Sequence, residues 1–485
     1  MSKFNPRKDG LVKNDEGHKA IQKSRRLFLL QAASTSFFNE PKFYGDNSSA
    51  LLDAAVGLIR HSEDEARFVA NLAAYARLEM NLRSVSHALI ALLAHEENGK
   101  KFVRPLMGKA VVRADDLTEI LACYLSRYGK PLPNALKKAL GEGFGRFDAY
   151  ALAKYNGEGK IKFKDILNLT HPKPKDEAQS ELFHKILEDR LPIPKTWETE
   201  VSRKGNKKEV WEALIEEDKL GYMALLRNLR NLLHARPANL DKALAKIADP
   251  EEVRKSRQLP FRFLSAYKEV KGHTEARNAL EKALRASISS LPKIPGRSVI
   301  AIDGSGSMSC RLSANSSLNC FDVAKLLGLV LHAISEDTVV LVFHSDYRPI
   351  VHRLRIPKAD YSILGKASAI RLPTGGTPLE APFQYLLEHK RIRFDRMIIL
   401  SDNETNYHSP LIQEWADKLR EDRKQDFWLH SIDLAGYQTT QFRGEKTNFI
   451  AGWSEKVLHY IADVENGFAD MEEAVDSYLF KKEKA

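Results

Sequence analysis

The stretch RSVIAIDGSGSMS, residues 297–309, decides the fold of the second part of the chain. Its apolar, β-branched beginning predicts a buried β-strand, and the run stops at Asp303. Glycines alternating with serines then predict a tight turn at the carboxyl end of that strand. Open α/β sheets place their ligand sites at the carboxyl ends of strands, so we expect a binding site here.

The side chains of this turn favour a hard metal cation. Asp303, Ser305 and Ser307 offer oxygen ligands, but three ligands are too few for an octahedral shell. Two later stretches can add ligands. PTGGTP, residues 373–378, presents the hydroxyl of Thr377 just before a predicted helix, and RMIILSDN, residues 396–403, is another apolar strand that leads into Asp402.

In this order, the three pieces resemble the metal-ion-dependent adhesion site of von Willebrand factor A domains. The resemblance implies that one Mg²⁺ is surrounded by a set of five side chains: Asp303, Ser305, Ser307, Thr377 and Asp402. The alternative interpretation is a solvated turn without metal, because serine–glycine turns are common. The chain has no P-loop motif and no H-E-x-x-H motif, and Ser305 has no evident histidine base.

Strands and helices alternate after a proline-rich junction at residues 291–296, which predicts an α/β domain at residues 297–485. The alternation is typical of a doubly wound, mostly parallel sheet. The predicted strands are 297–303, 338–343, 350–354, 396–400 and 427–433, and the predicted helices are 321–335, 379–389, 411–420 and 471–480.

The part before the junction has a different pattern. Residues 1–16 are polar and predict a flexible arm, whereas residues 17–291 show helical periodicity almost throughout, with short turns between the helices. About a dozen helices of ordinary length favour stacked antiparallel pairs, as in a helical-repeat solenoid. A compact helical bundle is the alternative.

Charge is unevenly distributed along the chain. Residues 1–300 contain 53 basic and 38 acidic side chains, whereas residues 301–485 contain 22 and 26. The basic excess of the first part favours an anionic partner such as nucleic acid, although a solvated lysine surface gives the same count. We expect a cytoplasmic protein, because the three cysteines lack C-x-x-C spacing and the sequence shows neither a secretory signal nor a long apolar span.

Several stretches of the helical part resemble the TROVE domain of the Ro 60 kDa autoantigen family, in a bacterial-type form. They are YAR at 75–77, NLRS at 81–84, KDILNLTHPKP at 164–174, MALLRNLR at 223–230 and LPFRFLSAY at 259–267. In that family a TROVE domain precedes a von Willebrand A domain, which is the order found here. The resemblance implies an all-α, HEAT-like repeat ring and an α/β doubly wound A domain.

The same resemblance implies a function. Family members bind small non-coding Y RNAs on a basic outer surface and thread the single-stranded 3′ ends of misfolded RNAs through the ring. The critical histidine of the family falls on His171, between Lys164 and Lys173. Arg227 and Arg230, three residues apart on one helix, are further candidates for RNA contact. A helix-capping histidine and salt-bridged surface arginines are the structural alternatives.

These observations together predict a non-enzymatic RNA-binding protein that acts as a scaffold in RNA quality control. The expected partners are Y-like RNA and misfolded RNA ends, with an exoribonuclease as a further protein partner. We expect a monomer that binds neither DNA nor membranes. The alternative function is a metal-dependent interaction module that docks an acidic protein partner through Mg²⁺ and binds no RNA.

Overall fold

A computed structural model describes residues 11–14, 17–35, 49–156, 159–312, 316–357, 361–405 and 411–481. These residues divide into two compact units. One contains the described residues through Thr35 together with Lys204–Met471, and the other contains the described residues from 49 to 203 together with those from 472 onward. Lys204–Met471 falls in one unit because helices that precede residue 291 pack against helices that follow it.

Within the described ranges the chain is helical from Arg25 to Ile288, and strands and helices alternate afterwards. The helices are α1 (Arg25–Ser34), α2 (Ser49–His61), α3 (Glu63–Leu78), α4 (Arg83–His95), α5 (Lys100–Ala110), α6 (Ala114–Tyr128), α7 (Asn134–Phe144), α8 (Ala149–Tyr155), α9 (Phe163–Thr170), α10 (Glu177–Leu187), α11 (Trp197–Lys204), α12 (Lys208–Glu216), α13 (Tyr222–Ala235), α14 (Leu240–Ala248), α15 (Pro250–Ser256), α16 (Pro260–Glu269), α17 (Thr274–Ile288), α18 (Cys320–Ile334), α19 (Ile363–Ala369), α20 (Ala381–Glu388), α21 (Ile412–Arg423), α22 (His459–Glu465) and α23 (Met471–Asp476).

The strands build two sheets. They are β1 (Leu11–Lys13), β2 (Lys19–Gln22), β3 (Ile294–Asp303), β4 (Ser335–Asp346), β5 (Arg348–Leu354), β6 (Arg396–Ser401), β7 (Trp428–Asp433), β8 (Thr439–Thr440) and β9 (Thr447–Ala451). The larger sheet has the order β5-β4-β3-β6-β7-β9, and the smaller one has the order β1-β2-β8. All neighbours in the larger sheet are parallel except β5, which pairs with β4 in antiparallel orientation.

The larger sheet is covered on both faces, as its continuous apolar strands require. On one face, Val299, Phe343 and Ile399 belong to a buried cluster that includes side chains of α20 and α21. On the other face α18 lies directly against β3, where a Cβ on Gly328 would come within 2.7 Å of Ile302 Cδ1. This covered, mostly parallel sheet confirms the predicted α/β architecture of the second part.

The unit that contains α2–α10 is built by helix packing. α3 begins at the N-cap Ser62, whose side chain accepts a hydrogen bond from the backbone N–H of Glu65, and its first turn is acidic. Every residue from Ala66 to Arg77 in this helix is buried, because α2, α4 and α5 surround it. The helical character of the first part of the chain is therefore confirmed.

The N-terminal stretch departs from the helical prediction. Residues 19–22 form β2, which pairs with β8 through Ile21 and Thr440. The prediction of helix from residue 17 onward was therefore wrong for this stretch, since β2 pairs with β1 on one side and with β8, a strand more than 400 residues away, on the other. None of the helices in the described ranges is both long enough and apolar enough to cross a membrane.

Candidate metal centre and basic surface

The predicted metal ligands Asp303 and Asp402 lie at one edge of the larger sheet. Ile302 of β3 is in parallel register with Leu400 of β6, so both strands reach this edge side by side. Asp303 is the last residue of β3, and Asp402 follows the last residue of β6. Both side chains are buried, Asp303 fully and Asp402 to 3% exposure.

The serine turn folds back onto these carboxylates. The backbone N–H of Ser305 donates to Asp303 Oδ1 at 2.9 Å, and Ser305 Oγ lies 3.0 Å from Ser307 Oγ. The Ser307 hydroxyl hydrogen-bonds the carboxylate of Asp402. The structure therefore brings four of the five predicted ligands into one connected cluster.

The turn that carries Thr377 is held against the same cluster. The backbone N–H of Gly306 donates to the carbonyl of Gly375 at 2.7 Å. Gly375 has a φ of +94°, and a Cβ there would lie 1.8 Å from the carbonyl oxygen of Ser345, so only glycine permits this approach. Thr377 itself is buried, and its carbonyl accepts a hydrogen bond from Thr405 Oγ1 at 2.9 Å.

The two carboxylates repel each other in a buried setting. Burial and the nearby Asp303 raise the pKa of Asp402 to about 7, and burial also raises the pKa of Asp303. Neither carboxylate forms an ion pair with a lysine or arginine among the described residues. Two buried, uncompensated carboxylates beside serine and threonine hydroxyls form an all-oxygen donor set, which fits a hard divalent cation. Within the described ranges there is no group of three or more His, Cys, Asp or Glu side chains that could hold a metal.

Sequence reasoning missed several residues that support this edge. Ser401 Oγ donates to Asp303 Oδ2 at 2.5 Å and orients that carboxylate. Asp433 ends the neighbouring strand β7 and forms a fully buried ion pair with Lys23 at 2.7 Å. Asp433 could have been found from the sequence, because it ends an apolar strand as Asp303 does. Nothing in the sequence around Lys23 indicated that this lysine reaches the sheet.

The predicted RNA-contacting residues of the α2–α10 unit lie on or next to α9. His171 caps the carboxyl end of this helix with a left-handed backbone, φ 45°, and its side chain is exposed. Lys164 forms a 2.6 Å ion pair with Asp189, which raises the pKa of the lysine. Lys173 follows in the exposed segment after the helix. His171 is therefore both a helix cap and an accessible side chain with basic neighbours in sequence.

The other two candidates, Arg227 and Arg230, belong to the unit that contains the larger sheet. Both are exposed on α13. Arg230 Nη1 forms a 3.0 Å ion pair with Glu269 on α16, as the salt-bridge alternative anticipated. Arg227 forms no ion pair with a described residue, so it is the better candidate of the two for contact with a phosphate.

Comparison with known proteins identifies the parts of the chain. Residues 18–190 and 188–287 match the TROVE domain, and residues 297–425 match the Ro60 vWA domain. The chain is 26% identical to telomerase protein component 1 of Rattus norvegicus over 357 residues, which cover 56% of this chain and 13% of that protein. It is also 26% identical to RNA-binding protein RO60 of Caenorhabditis elegans over 226 residues, which cover 41% of this chain and 32% of that protein.

The fold has a solved counterpart. The crystal structure of the Deinococcus radiodurans RO (RSR) protein matches with a TM-score of 0.62 at 17% identity, over 94% of this chain and 99% of that one. The chain thus spans a third or less of the curated relatives it matches, whereas its fold matches nearly the whole of this structure. With a TROVE match over more than half of its length and a Ro60-type A domain after it, the chain belongs to the Ro60 family.

Proposed function

We propose that this protein binds RNA through its TROVE region and acts as a non-enzymatic scaffold in RNA quality control, within the cytoplasm. The proposed ligands are a small, Y-like non-coding RNA and the 3′ ends of misfolded RNAs, and the proposed protein partner is an exoribonuclease. The observation that carries this proposal is the TROVE match at residues 18–287, in a segment that also holds the basic excess of the chain. The named relative RNA-binding protein RO60 supports it.

The physical basis for RNA binding is the exposed end of α9. His171, Lys173 and Lys175 are all exposed there, and Lys175 Nζ donates a hydrogen bond to the carbonyl of Gly145 at 2.9 Å. Lysines attract phosphates without reading sequence, whereas an imidazole can stack on or hydrogen-bond an unpaired base. We therefore expect His171 to contribute selectivity and the lysines to contribute affinity.

A filter-binding titration tests this proposal. The full-length protein should bind a structured RNA with a splayed loop, and the affinity should fall steeply between about 50 and 200 mM salt because counterions are released from the phosphates. His171→Ser should weaken RNA binding more than it weakens heparin binding. His184→Ser on α10 is the matched control. Equal affinity of the wild-type protein for RNA and heparin would contradict the proposal.

We further propose that Asp303, Ser305, Ser307, Thr377 and Asp402 hold one divalent cation, Mg²⁺ in the cell. A bound cation supplies an open coordination position that can accept a carboxylate from a protein partner. Of this set the exposed Ser307 faces solvent, whereas Asp303, Ser305, Thr377 and Asp402 are buried. The buried members fix the geometry, and the exposed side leaves room for a partner.

This site also supports a second candidate function, a metal-dependent protein-interaction module that binds no RNA. The observation in its favour is the pair of uncompensated carboxylates, which lies in the A domain and not in the TROVE region. Under this function, EDTA or Asp303→Ala abolishes capture of an acidic partner, and no RNA binding is detected. A nuclease assay with Mg²⁺ tests the proposed absence of enzymatic activity, and sedimentation tests the proposed monomer.

A further inference from the structure

Two histidines face each other on neighbouring strands of the larger sheet. His344 lies near the end of β4, and His352 lies on β5, the strand at the edge of the sheet. The antiparallel register pairs Val342 with His352 and His344 with Ile350, so the two histidines are diagonal neighbours on one face. Phe343, the residue between them in this pattern, belongs to the buried cluster on the opposite face.

The two rings present the same nitrogen to each other. The Nε2 atoms of His344 and His352 are 3.0 Å apart, and the ring planes differ by 15° with centroids 5.2 Å apart. A metal ion that binds two imidazole nitrogens at about 2.0–2.1 Å holds them about 2.8–3.4 Å from each other, for angles at the metal between about 90° and 109°. The two nitrogens therefore already have the spacing of two ligands of one cation.

The charge state of this pair also suits a metal. No described carboxylate forms an ion pair with either ring, and burial together with the nearby His352 lowers the pKa of His344. Its imidazole is therefore neutral at pH 7 and keeps a lone pair, which is the form that binds metals. His344 is 8% exposed, whereas His352 is exposed, so the pair is anchored in the sheet on one side and open to solvent on the other.

We infer that His344 and His352 form a binding site for one divalent transition-metal cation, of the class that includes Zn²⁺ and Cu²⁺. The two Nε2 atoms are the protein ligands, and water fills the remaining coordination positions. Imidazole nitrogen favours zinc and copper, whereas Mg²⁺ prefers oxygen, so this site differs in chemistry from the proposed Mg²⁺ site. The inference does not depend on that site or on the proposed binding of RNA.

A cation at this position joins the edge strand to β4, next to the turn that carries Thr377. Ser345 follows His344 in β4, and its backbone N–H donates to the carbonyl of Gly376 at 3.1 Å. The Ser345 hydroxyl accepts a hydrogen bond from the backbone N–H of Gly376 at 3.0 Å. A metal on His344 would therefore fix the strand end to which this turn is hydrogen-bonded.

The test measures binding of Zn²⁺ to the full-length protein by calorimetry, with excess Mg²⁺ present throughout so that an oxygen-lined site is already filled. His352→Gln removes one ligand at an exposed position, and His344→Gln removes the other. His234→Gln, at an exposed position on α13 in the same unit, is the matched control. Electron paramagnetic resonance with substoichiometric Cu²⁺ then counts the nitrogens bound to the metal, and circular dichroism checks that each variant is folded.

We expect His352→Gln to weaken Zn²⁺ binding about tenfold or more, because even a residue that only supports a metal ligand contributes about that much. His234→Gln should change the affinity less than about threefold. The Cu²⁺ spectrum should show coupling to two nitrogens in the wild-type protein and in His234→Gln. It should show one nitrogen in His344→Gln and in His352→Gln.

Three outcomes would overturn the inference. The first is a wild-type protein that binds no Zn²⁺, which would leave the pair as a hydrogen bond between two neutral rings. The second is equal loss of affinity in His352→Gln and His234→Gln, which would show scattered binding to surface histidines. The third is a two-nitrogen Cu²⁺ spectrum that persists in His352→Gln. If His344→Gln does not fold, the exposed position 352 decides the result alone.

Discussion

Glu380 is an unpaired carboxylate inside the sheet-containing unit, three residues after the proposed ligand Thr377. Its side chain is 2% exposed, and Oε2 has no hydrogen-bond partner among the described residues. Burial raises the pKa of this carboxyl from 4.5 to about 7. A difference of this size corresponds to about 3 kcal/mol of free energy that opposes ionisation in the folded state.

The sign of the pH dependence follows from proton binding. Between pH 4.5 and 7 the folded state holds a proton on Glu380 that the unfolded state has lost, so the contribution of this group to stability falls as the pH rises through this window. Above pH 7 the carboxyl of Glu380 is ionised in both the folded and the unfolded state, and the folded state carries the full free-energy cost of the buried charge. Glu380→Gln keeps the shape of the side chain but removes its charge, so the cost disappears.

The prediction is that Glu380→Gln raises the free energy of unfolding by about 2–3 kcal/mol at pH 8.5 and changes it by less than about 1 kcal/mol at pH 4.5. Urea unfolding of the metal-free protein, followed by circular dichroism at both pH values, measures this difference. Glu388→Gln, at the exposed end of the helix that follows Glu380, is the control and should show no such dependence. A stabilisation that is equal at both pH values, or a variant that is less stable at pH 8.5, would refute the reasoning.

Three other predictions concern buried polar groups, and urea unfolding measures each of them. Asp116→Asn should lower the free energy of unfolding by about 3–5 kcal/mol, because Arg77 and His87 lose the buried carboxylate that they contact. The pKa of Asp116 is lowered in the folded protein, so the stability that its carboxylate contributes is lost in acid, below about pH 4. Lys23→Met should cost about 3–5 kcal/mol by leaving Asp433 unpaired, and adding Asp433→Asn should restore most of the loss. Asn71→Ala should cost about 1–3 kcal/mol, because it frees backbone groups of the C-terminal segment, and limited proteolysis should then cleave that segment faster.

The elements of the α/β part could be predicted with good accuracy from the sequence. The strand predicted at 396–400 is β6 at Arg396–Ser401, and the one predicted at 427–433 is β7 at Trp428–Asp433. Continuous apolar runs that end at aspartates make such strands visible without any tertiary information. β8 and β9 went unpredicted, because both are short and form by pairing with the distant strands β2 and β7.

The candidate ligands of the metal site were predicted from the sequence, but the residues that orient those ligands were not. Asp303, Ser305 and Ser307 are neighbours in the chain, so one turn brings them together. Ser401 is an ordinary strand-end serine until the parallel register puts its hydroxyl against Asp303. Support of this kind depends on distances between separate strands, which no local pattern contains.

The amino-acid sequence by itself indicated the two classes of structure, the order of the TROVE and A domains, and the oxygen ligands of the proposed metal site, because each is carried by short local motifs. Tertiary structure alone decided that Lys23 neutralises Asp433, 410 residues away in the chain. The tertiary structure also decided that Arg230 forms an ion pair with Glu269. The physical reason is that charge compensation and burial depend on which distant groups come within a few ångströms, and only the folded chain fixes those distances.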